Sequence, residues 1–230
     1  MKKIMILAAG VLAFSSPAIA QISFAPEVGL NLANMHFKLD DNTKLDNGIK
    51  LGVRAGINVN IPITPDRLVL QPGLFYSIQG MKSEEDGFAN NITLHYAQIP
   101  LNLIYQFNDP SEGRFFVGVG PYVGIAFSGK SKQHGGGSAD TTVDLKFGSG
   151  ADQDLGRIDY GAQAMAGYML RSGLFFRAAY QHGIGDLIPS ESPLQTEAYA
   201  NNTCIVLSIG YQFGHAPKSK GPAMNGSEPR

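Results

Sequence analysis

The chain has 230 residues, with 18 Lys and Arg against 19 Asp and Glu, a formal net charge of −1, and a single cysteine, Cys204. The absence of a basic excess speaks against a nucleic-acid partner. One cysteine excludes an intramolecular disulfide and a cysteine-based metal cluster. The 28 glycines, with abundant Phe and Tyr and no Trp, are more typical of tightly curved strands than of helices.

The N-terminus has the three parts of a secretory signal peptide. Lys2 and Lys3 precede an apolar run over residues 4–14, and Ala18-Ile19-Ala20 forms a small-x-small cleavage signal. The apolar run is too short to span a bilayer. We therefore expect residues 1–20 to be a cleaved signal peptide and the mature chain to be exported. No later apolar run is long enough for a membrane helix, so any membrane insertion must use closed strands.

Apolar and small or polar residues alternate with period two along most of the mature chain. In residues 49–61 every odd position is apolar, while the even positions hold Lys50, Arg54, two Gly and two Asn. Such alternation predicts a strand with one apolar and one polar face. The same pattern predicts eight strands, at residues 24–32, 49–61, 68–79, 97–107, 115–127, 158–170, 174–181 and 199–213.

The predicted connections alternate in length. Residues 62–66, 108–113 and 171–173 form short turns, whereas residues 39–47, 82–90, 129–156 and 185–198 form longer polar loops. Short turns at one rim and long loops at the other are typical of outer-membrane barrels, in which the turns are periplasmic. An even number of strands then places both termini in the periplasm.

The orientation of the apolar face separates a membrane barrel from a soluble one. The non-apolar set is rich in Gly and carries few charges, too few to solubilise an outer surface. We therefore assign the apolar set to the lipid. The predicted fold is an all-β, eight-stranded, antiparallel up-and-down transmembrane β-barrel over residues 21–213. A polar tail at residues 214–230, disordered and periplasmic, follows it.

Phe and Tyr residues fall at both ends of the predicted strands, where they would form two girdles at the membrane interfaces. The predicted girdle residues are Tyr76, Tyr105, Phe107, Phe115, Phe127, Tyr160, Tyr168, Tyr180, Tyr211 and Phe213. Amphipathic rings sit well at the headgroup level, so this placement also favours the outer membrane as the location.

Several segments resemble the PorT-like outer-membrane β-barrel proteins of Bacteroidetes. The matching segments are EVGLNLA at 27–33, LQPGLFYSIQG at 70–80, YAQIPLNLIY at 96–105, GVGPYVG at 118–124 and IGYQF at 209–213. The resemblance implies an outer-membrane barrel, linked in some relatives to secretion, and carries over no catalytic residue. The polar tail after Phe213 departs from the family pattern.

Five charged residues alternate onto the predicted lumen face: Glu27, Lys50, Arg54, Asp159 and Arg177. An unpaired charge in a low-dielectric interior is costly. We therefore expect a structural network of ion pairs between neighbouring strands, in a lumen that side chains close or nearly close. The alternative is a conducting or ligand-binding lumen. Cys204 is expected to be a small buried side chain of the same face.

A lipid-modifying enzyme is the main catalytic alternative. His95, His182, Ser77, Ser128 and Glu191 could supply an acyl-transfer triad near the outer rim. The sequence has no nucleophile motif and no fixed spacing, and its histidines lack metal-ligand spacing. We therefore expect no enzyme activity, no cofactor and no metal.

The predicted function is structural or interaction-based, with surface loops displayed outside the cell. The expected partners are outer-membrane lipids and lipopolysaccharide, and envelope or secretion proteins. The large loop at residues 129–156 mixes Lys and Asp residues and is the expected partner-binding segment. A role as an accessory component of a secretion or envelope-assembly complex is the alternative that the resemblance suggests.

Overall fold

The computed structural model describes residues 22–39, 48–64, 67–85, 88–107, 113–135, 138–150, 152–189 and 198–214. These residues form nine strands: β1 (Ser23–Leu39), β2 (Gly48–Thr64), β3 (Leu68–Glu85), β4 (Phe88–Gln106), β5 (Arg114–Gly135), β6 (Ser138–Asp144), β7 (Ile158–Met169), β8 (Leu174–Gly183) and β9 (Ala198–Tyr211). The predicted signal peptide, the tail beyond Gly214 and Glu191 lie outside the described residues. In the part that is described, no helix is long and apolar enough to cross a membrane.

Eight of these strands close into a ring. Its order is β1-β2-β3-β4-β5-β7-β8-β9, and β9 pairs back onto β1, from Glu27 opposite Gly210 to Leu39 opposite Ala198. All pairings between ring neighbours are antiparallel. Because the sheet closes on itself, the ring has no free edge. The predicted eight-stranded antiparallel up-and-down barrel is confirmed.

The strands at the outer end extend further than the alternation predicts. Strand β3 continues to Glu85 and β4 begins at Phe88, so most of the loop predicted at 82–90 is strand. Likewise β5 runs to Gly135, and β6 pairs with its outer end inside the loop predicted at 129–156. These predictions were wrong because the apolar period ends where the lipid ends, whereas backbone pairing continues beyond it with polar side chains.

The apolar side chains of the ring face outward. Leu51 is 60% exposed and Val119 is 60% exposed, although both lie within long, paired strands. The residues that alternate with these outward side chains along the strands face the barrel axis and are buried. Examples are Asn58, Asn102 and Gln181. A continuous apolar outer surface around a polar interior is the arrangement that lipid requires of a membrane barrel.

A β-bulge in β5 shapes the outer rim. His95 lies opposite Ser128 and Tyr96 opposite Ala126, so Phe127 is an extra residue on β5. Phe127 points outward, and its ring centroid lies 6.1 Å from that of Tyr76 and 6.3 Å from that of His95. The bulge therefore gathers three rings on the outer face of β3, β4 and β5.

Candidate functional site

The middle of the lumen is built around Glu27 on β1. Its carboxylate accepts a charged hydrogen bond from Arg177 on β8, with 3.0 Å between Oε2 and Nη1. Ser208 donates to Oε1 at 2.7 Å, and Asn58 donates to Oε2 at 2.8 Å. Glu27 is only 2% exposed. A buried carboxylate with a cation and two neutral donors meets the conditions under which a charge is tolerated away from water.

Two arginine guanidinium groups near Glu27 lie against aromatic rings. Cζ of Arg54 is 3.9 Å from the centroid of Phe75. Cζ of Arg177 lies 5.6 Å from the Phe116 centroid and 5.3 Å from that of Phe175. The ring faces attract these cations and keep them away from water. The charges are therefore held by stacking as well as by pairing.

Each of these inward rings lies opposite a glycine on the neighbouring strand. The cross-strand partners are Phe75 with Gly56, Phe116 with Gly167 and Phe175 with Gly210. A Cβ at Gly167 would stand 2.3 Å from Cζ of Phe116, and one at Gly210 would stand 2.2 Å from Cζ of Phe175. The inward glycines therefore leave the space in which the rings lie.

A layer of amides crosses the lumen on the outer side of this cluster. Nε2 of Gln79 on β3 donates to Oε1 of Gln181 on β8 at 3.4 Å, and these two strands face each other across the ring. Gln98 on β4 also donates to Oε1 of Gln181, at 3.3 Å. Gln181 in turn donates to Gln163 at 2.8 Å, and Gln163 donates to Asn102 at 2.6 Å. Side chains thus bridge the full diameter of the barrel.

The periplasmic side of the cluster is also linked across the ring. Nη2 of Arg177 donates to Oε1 of Gln71 on the opposite strand β3 at 2.9 Å. Gln71 donates to Asn60 at 2.6 Å, and Asn60 donates to Ser23 at 3.2 Å. A cavity of about 10 Å³ lies here, lined in part by Gln106. Its volume is about that of one water molecule.

The structure does not bring Lys50 and Asp159 into the Glu27 cluster. Nζ of Lys50 donates to Oδ1 of Asn91 at 2.6 Å, at the outer end of the sheet. Asp159 is 1% exposed and accepts from Nδ2 of Asn202 at 3.0 Å, and its other oxygen has no hydrogen-bond partner. Of the five charges singled out in the sequence, Glu27, Arg54 and Arg177 meet.

Apolar side chains cover the lumen at its outer end. Leu155, before β7, and Leu187, after β8, pack with the inward residues Met35 and Leu94 in one buried cluster. Four further residues join them from the partly buried shell: Ile92, Leu145, Phe147 and Ile188. We call Leu145, Phe147, Leu155, Leu187 and Ile188 the outer cap.

Backbone hydrogen bonds hold the two segments of the outer cap together. Gly156 donates its N–H to the carbonyl of Leu187 at 2.7 Å, and Leu187 donates to Ala200 at 2.9 Å. Leu187 is 1% exposed and Leu155 is 8% exposed. The period-two alternation does not predict the cap, because these residues lie in irregular segments. The signal that could have found it is a set of large apolar residues inside loops otherwise rich in Gly and Asp.

The predicted girdle residues lie on the outward side of the barrel, and their placement at the membrane interfaces stays a prediction. Nine are 37% to 59% exposed: Tyr76, Tyr105, Phe107, Phe115, Phe127, Tyr160, Tyr180, Tyr211 and Phe213. Tyr168 is half-buried, because its ring packs at 4.6 Å against that of Phe115. Two further ring pairs, Tyr105 with Phe107 and Tyr211 with Phe213, stand edge to face at the periplasmic rim.

The structure brings together two residues of the catalytic alternative, because Ser128 on β5 is the cross-strand partner of His95 on β4, and it separates the other described ones. Ser77 faces the lumen, where it accepts a hydrogen bond from Asn31 at 2.9 Å. His95 faces outward, and its Nδ1 lies 2.6 Å from the hydroxyl of Tyr76. His182 is exposed and stacks on Tyr180. A nucleophile and a base must be within hydrogen-bond reach of each other, whereas Ser77 and His95 lie on opposite faces of the sheet.

The sequence matches the family model described as outer membrane protein beta-barrel domain over residues 15–189. No curated protein matches the chain. Among solved structures, the chain is similar to Ail of Yersinia pestis, with 13% identity over 84% of this chain and 99% of Ail at a TM-score of 0.41. It is also similar to Neisserial surface protein A, with 14% identity over 83% and 97% of the two chains at a TM-score of 0.42.

A third similar structure is the N-terminal β-barrel domain of Pseudomonas aeruginosa OprF. It is 13% identical, over 83% of this chain and 97% of that domain, at a TM-score of 0.33. The assignment rests on the family model, which spans more than half of the chain. The chain belongs to the outer membrane protein beta-barrel domain family, and its location is the outer membrane.

Proposed function

We propose that this protein is a closed outer-membrane barrel with a structural or interaction role, which presents its outer strands and loops at the cell surface. The observation that carries the proposal is the bridge between Gln79 and Gln181, whose strands face each other across the lumen. Together with the outer cap, this bridge leaves little room for a solute path. In this proposal the charged cluster around Glu27 stabilises the packing of the strands and does not conduct ions.

The lumen of an eight-stranded barrel is just wide enough for side chains to fill. Here the filling is polar in the middle and apolar at the outer mouth. Buried polar networks favour one arrangement of strands through the hydrogen bonds that their members make. Here Gln163 and Gln181 are bonded across the lumen, whereas Oδ1 of Asn58 and Nδ2 of Asn102 have no partner among the described residues. The bonds across the lumen support a rigid platform, from which partners are contacted by the segments outside the membrane.

Planar-bilayer recording of the refolded protein tests the closed lumen. We expect no stable single-channel steps from the wild type at moderate voltage. As a matched comparison, a variant with Leu155→Asp and Leu187→Asp should give more frequent openings, because two carboxylates cannot remain in an apolar cluster. Large, stable conductance from the wild type would refute closure.

A second candidate is an accessory component of a secretion or envelope-assembly complex. It is favoured by the segments that resemble the PorT-like proteins, which include LQPGLFYSIQG at 70–80 on β3. The expected partners are envelope or secretion proteins that meet the polar tail at 214–230. Cross-linking in intact cells, with and without the tail, tests this role. Recovery of the same partners from both forms would show that the tail does not bind them.

The lipid environment forms part of the proposal. Outer-membrane lipids would cover the apolar belt, and lipopolysaccharide would surround the outer rim. The catalytic alternative has little support, because Ser77 faces the other side of the sheet from His95, and Nδ1 of His95, which lies opposite Ser128, is hydrogen-bonded to Tyr76. An assay for fatty-acid release from lipopolysaccharide tests it, and we expect no release above that of a refolded control barrel.

A further inference from the structure

Beyond the outer girdle, the sheet of β3, β4, β5 and β6 carries a row of polar side chains. Lys82 is the cross-strand partner of Asn91, Asn91 that of Lys132, and Lys132 that of Thr142. Directly opposed residues of an antiparallel sheet place their side chains on the same face. The row therefore runs across four strands on one surface.

A second row lies two residues nearer the membrane. Thr93 is the partner of Lys130, and Lys130 is the partner of Asp144. Lys130 is exposed, and its Nζ is 3.9 Å from Oδ1 of Asp144. The alternate residues Leu94 and Ser131 are buried on the inner side. Both rows therefore face away from the lumen.

A fourth lysine joins the rows. Nζ of Lys50 on β2 donates to Oδ1 of Asn91 at 2.6 Å. The ammonium of Lys50 also lies near the charges of Lys82 and Lys132. Among the residues whose side chains the structure describes, no carboxylate lies within 4.0 Å of the ammonium of Lys82 or Lys132. We call Lys50, Lys82, Lys130 and Lys132 the lysine patch.

The height of the lysine patch narrows the choice of ligand. Lys82 follows the girdle residue Tyr76 by six residues on β3, and Lys132 follows Phe127 by five residues on β5. At about 3.3 Å per residue and a strand tilt of about 40°, Lys82 and Lys132 lie roughly 12–15 Å outward of the girdle, and Lys130 lies roughly 8 Å outward of it. A phospholipid headgroup layer is only about 5–8 Å thick. Lys82 and Lys132 therefore lie higher than phospholipid phosphates and level with the sugars of a taller glycolipid.

We propose that the lysine patch binds the phosphorylated saccharide of lipopolysaccharide in the outer leaflet. Ammonium groups pair with phosphate oxygens, and the hydroxyls of Thr93 and Thr142 and the amide of Asn91 can donate further hydrogen bonds to them. This inference rests on the part of the proposed function that places lipopolysaccharide at the outer rim. It does not depend on closure of the lumen.

Titration of refolded barrel in zwitterionic detergent with purified lipopolysaccharide tests the proposal. A variant with Lys82→Gln and Lys132→Gln should bind on the order of tenfold more weakly than wild type. Lys146→Gln is the matched control, because Lys146 is an exposed lysine outside the patch, and its affinity should equal that of wild type. Added salt should weaken wild-type binding, since the patch is exposed.

Two further probes identify the ligand chemistry. Lipopolysaccharide stripped of its phosphates should bind wild type as weakly as intact lipopolysaccharide binds the double variant. Phosphatidylglycerol should bind more weakly than lipopolysaccharide, and equal binding would overturn the assignment to the saccharide. Equal affinities of wild type and double variant for intact lipopolysaccharide would overturn the site itself.

The shift of each variant on heating in a gel shows that it has folded before it is titrated. Because channel recording reports on the lumen alone, a conducting barrel that still binds through the patch would remove the closed lumen and keep the binding site. A closed barrel with no patch-dependent binding would keep the closed lumen and remove the binding site.

Discussion

Glu27 and Arg177 form an ion pair of 3.0 Å inside the barrel although their strands are not neighbours. Strand β9 separates β1 from β8, and Ser208 on β9 donates to the same carboxylate. Asn58 on β2 also donates to this carboxylate, so one side chain ties four adjacent strands, and those strands include the pair that closes the ring. The ion pair therefore lies beside the pairing of β1 with β9, through which the first and last strands close the barrel.

Glu27→Gln should destabilise the barrel strongly. The substitution leaves Arg177 and Arg54 buried near each other without the intervening negative charge. Breaking a buried pair by removing one partner costs about 3–5 kcal/mol. Urea unfolding from lipid vesicles measures the free-energy change. A loss below about 1 kcal/mol would show that the cation–π contacts alone hold the two arginines.

Asp159→Asn supplies the contrast. Asp159 is as buried as Glu27, yet no cation lies within 4.0 Å of it in the described part of the chain. An asparagine of the same shape can still accept the hydrogen bond of Asn202, and it removes a buried charge. We expect a stability within about 1 kcal/mol of wild type, or above it. An equal loss of unfolding free energy for Glu27→Gln and Asp159→Asn would show that the nearby arginines do not make Glu27 more important for stability than Asp159.

The alternation of apolar residues was sufficient to predict the strands and their outward face, because lipid acts on every second side chain alike. It could not predict which inward residues meet. The sequence analysis expected charge pairs between neighbouring strands, whereas Arg177 reaches past β9 to Glu27. Which inward side chains come into contact depends on the stagger of the strands around the ring. The period-two alternation does not determine that stagger.

The same reasoning explains β6 and the outer cap. Strand β6 lies beyond the membrane, where polar residues satisfy both faces and no apolar period remains. Leu155 and Leu187 reach their cluster through irregular backbone, so their spacing in the sequence carries no signal of contact. Long-range contacts of isolated apolar residues need the three-dimensional course of the loops.

Gly167→Ala should disturb the lumen more than its small volume suggests. The added methyl would lie 2.3 Å from Cζ of Phe116 and 2.4 Å from the carbonyl oxygen of Phe176. Phe116 must then move away from Arg177, at a cost of about 1–3 kcal/mol. Gly48→Ala is the control, since its methyl would meet nothing nearer than 3.4 Å. Equilibrium unfolding of both variants in the same lipid checks the difference, and equal stabilities would contradict the ring–glycine packing.

The ring pair of Phe115 and Tyr168 should show measurable coupling at the periplasmic rim. Their centroids are 4.6 Å apart, and both lie at the ends of neighbouring strands. A double-mutant cycle with alanine at each position should give about 0.5–1.5 kcal/mol of interaction free energy. The cycle of Phe115 with Phe127, twelve residues further along the same strand, should give none. Coupling of equal size in both cycles would mean that alanine acts on lipid insertion rather than on the ring contact.

Cys204 offers a chemical test of the outer cap, because it is the only cysteine of the chain and its side chain is 2% exposed. It lies on the inner face of β9, closer to the membrane centre than Ala200, which contacts the cap. In the folded wild type, a small water-soluble thiol reagent should modify it slowly, since a thiolate must meet the reagent in water.

Leu187→Asp should accelerate that modification by at least about tenfold, because a carboxylate cannot remain in the apolar cluster at low cost. Val143→Asp provides the same chemical change at an exposed position on β6 and should leave the rate unaltered. If Leu187→Asp leaves Cys204 as protected as wild type while the barrel stays folded, the thiol is shielded by the packing of the wall, and the cap does not control access from outside. Rapid labelling of the wild type itself would show that water already reaches the inner face of β9.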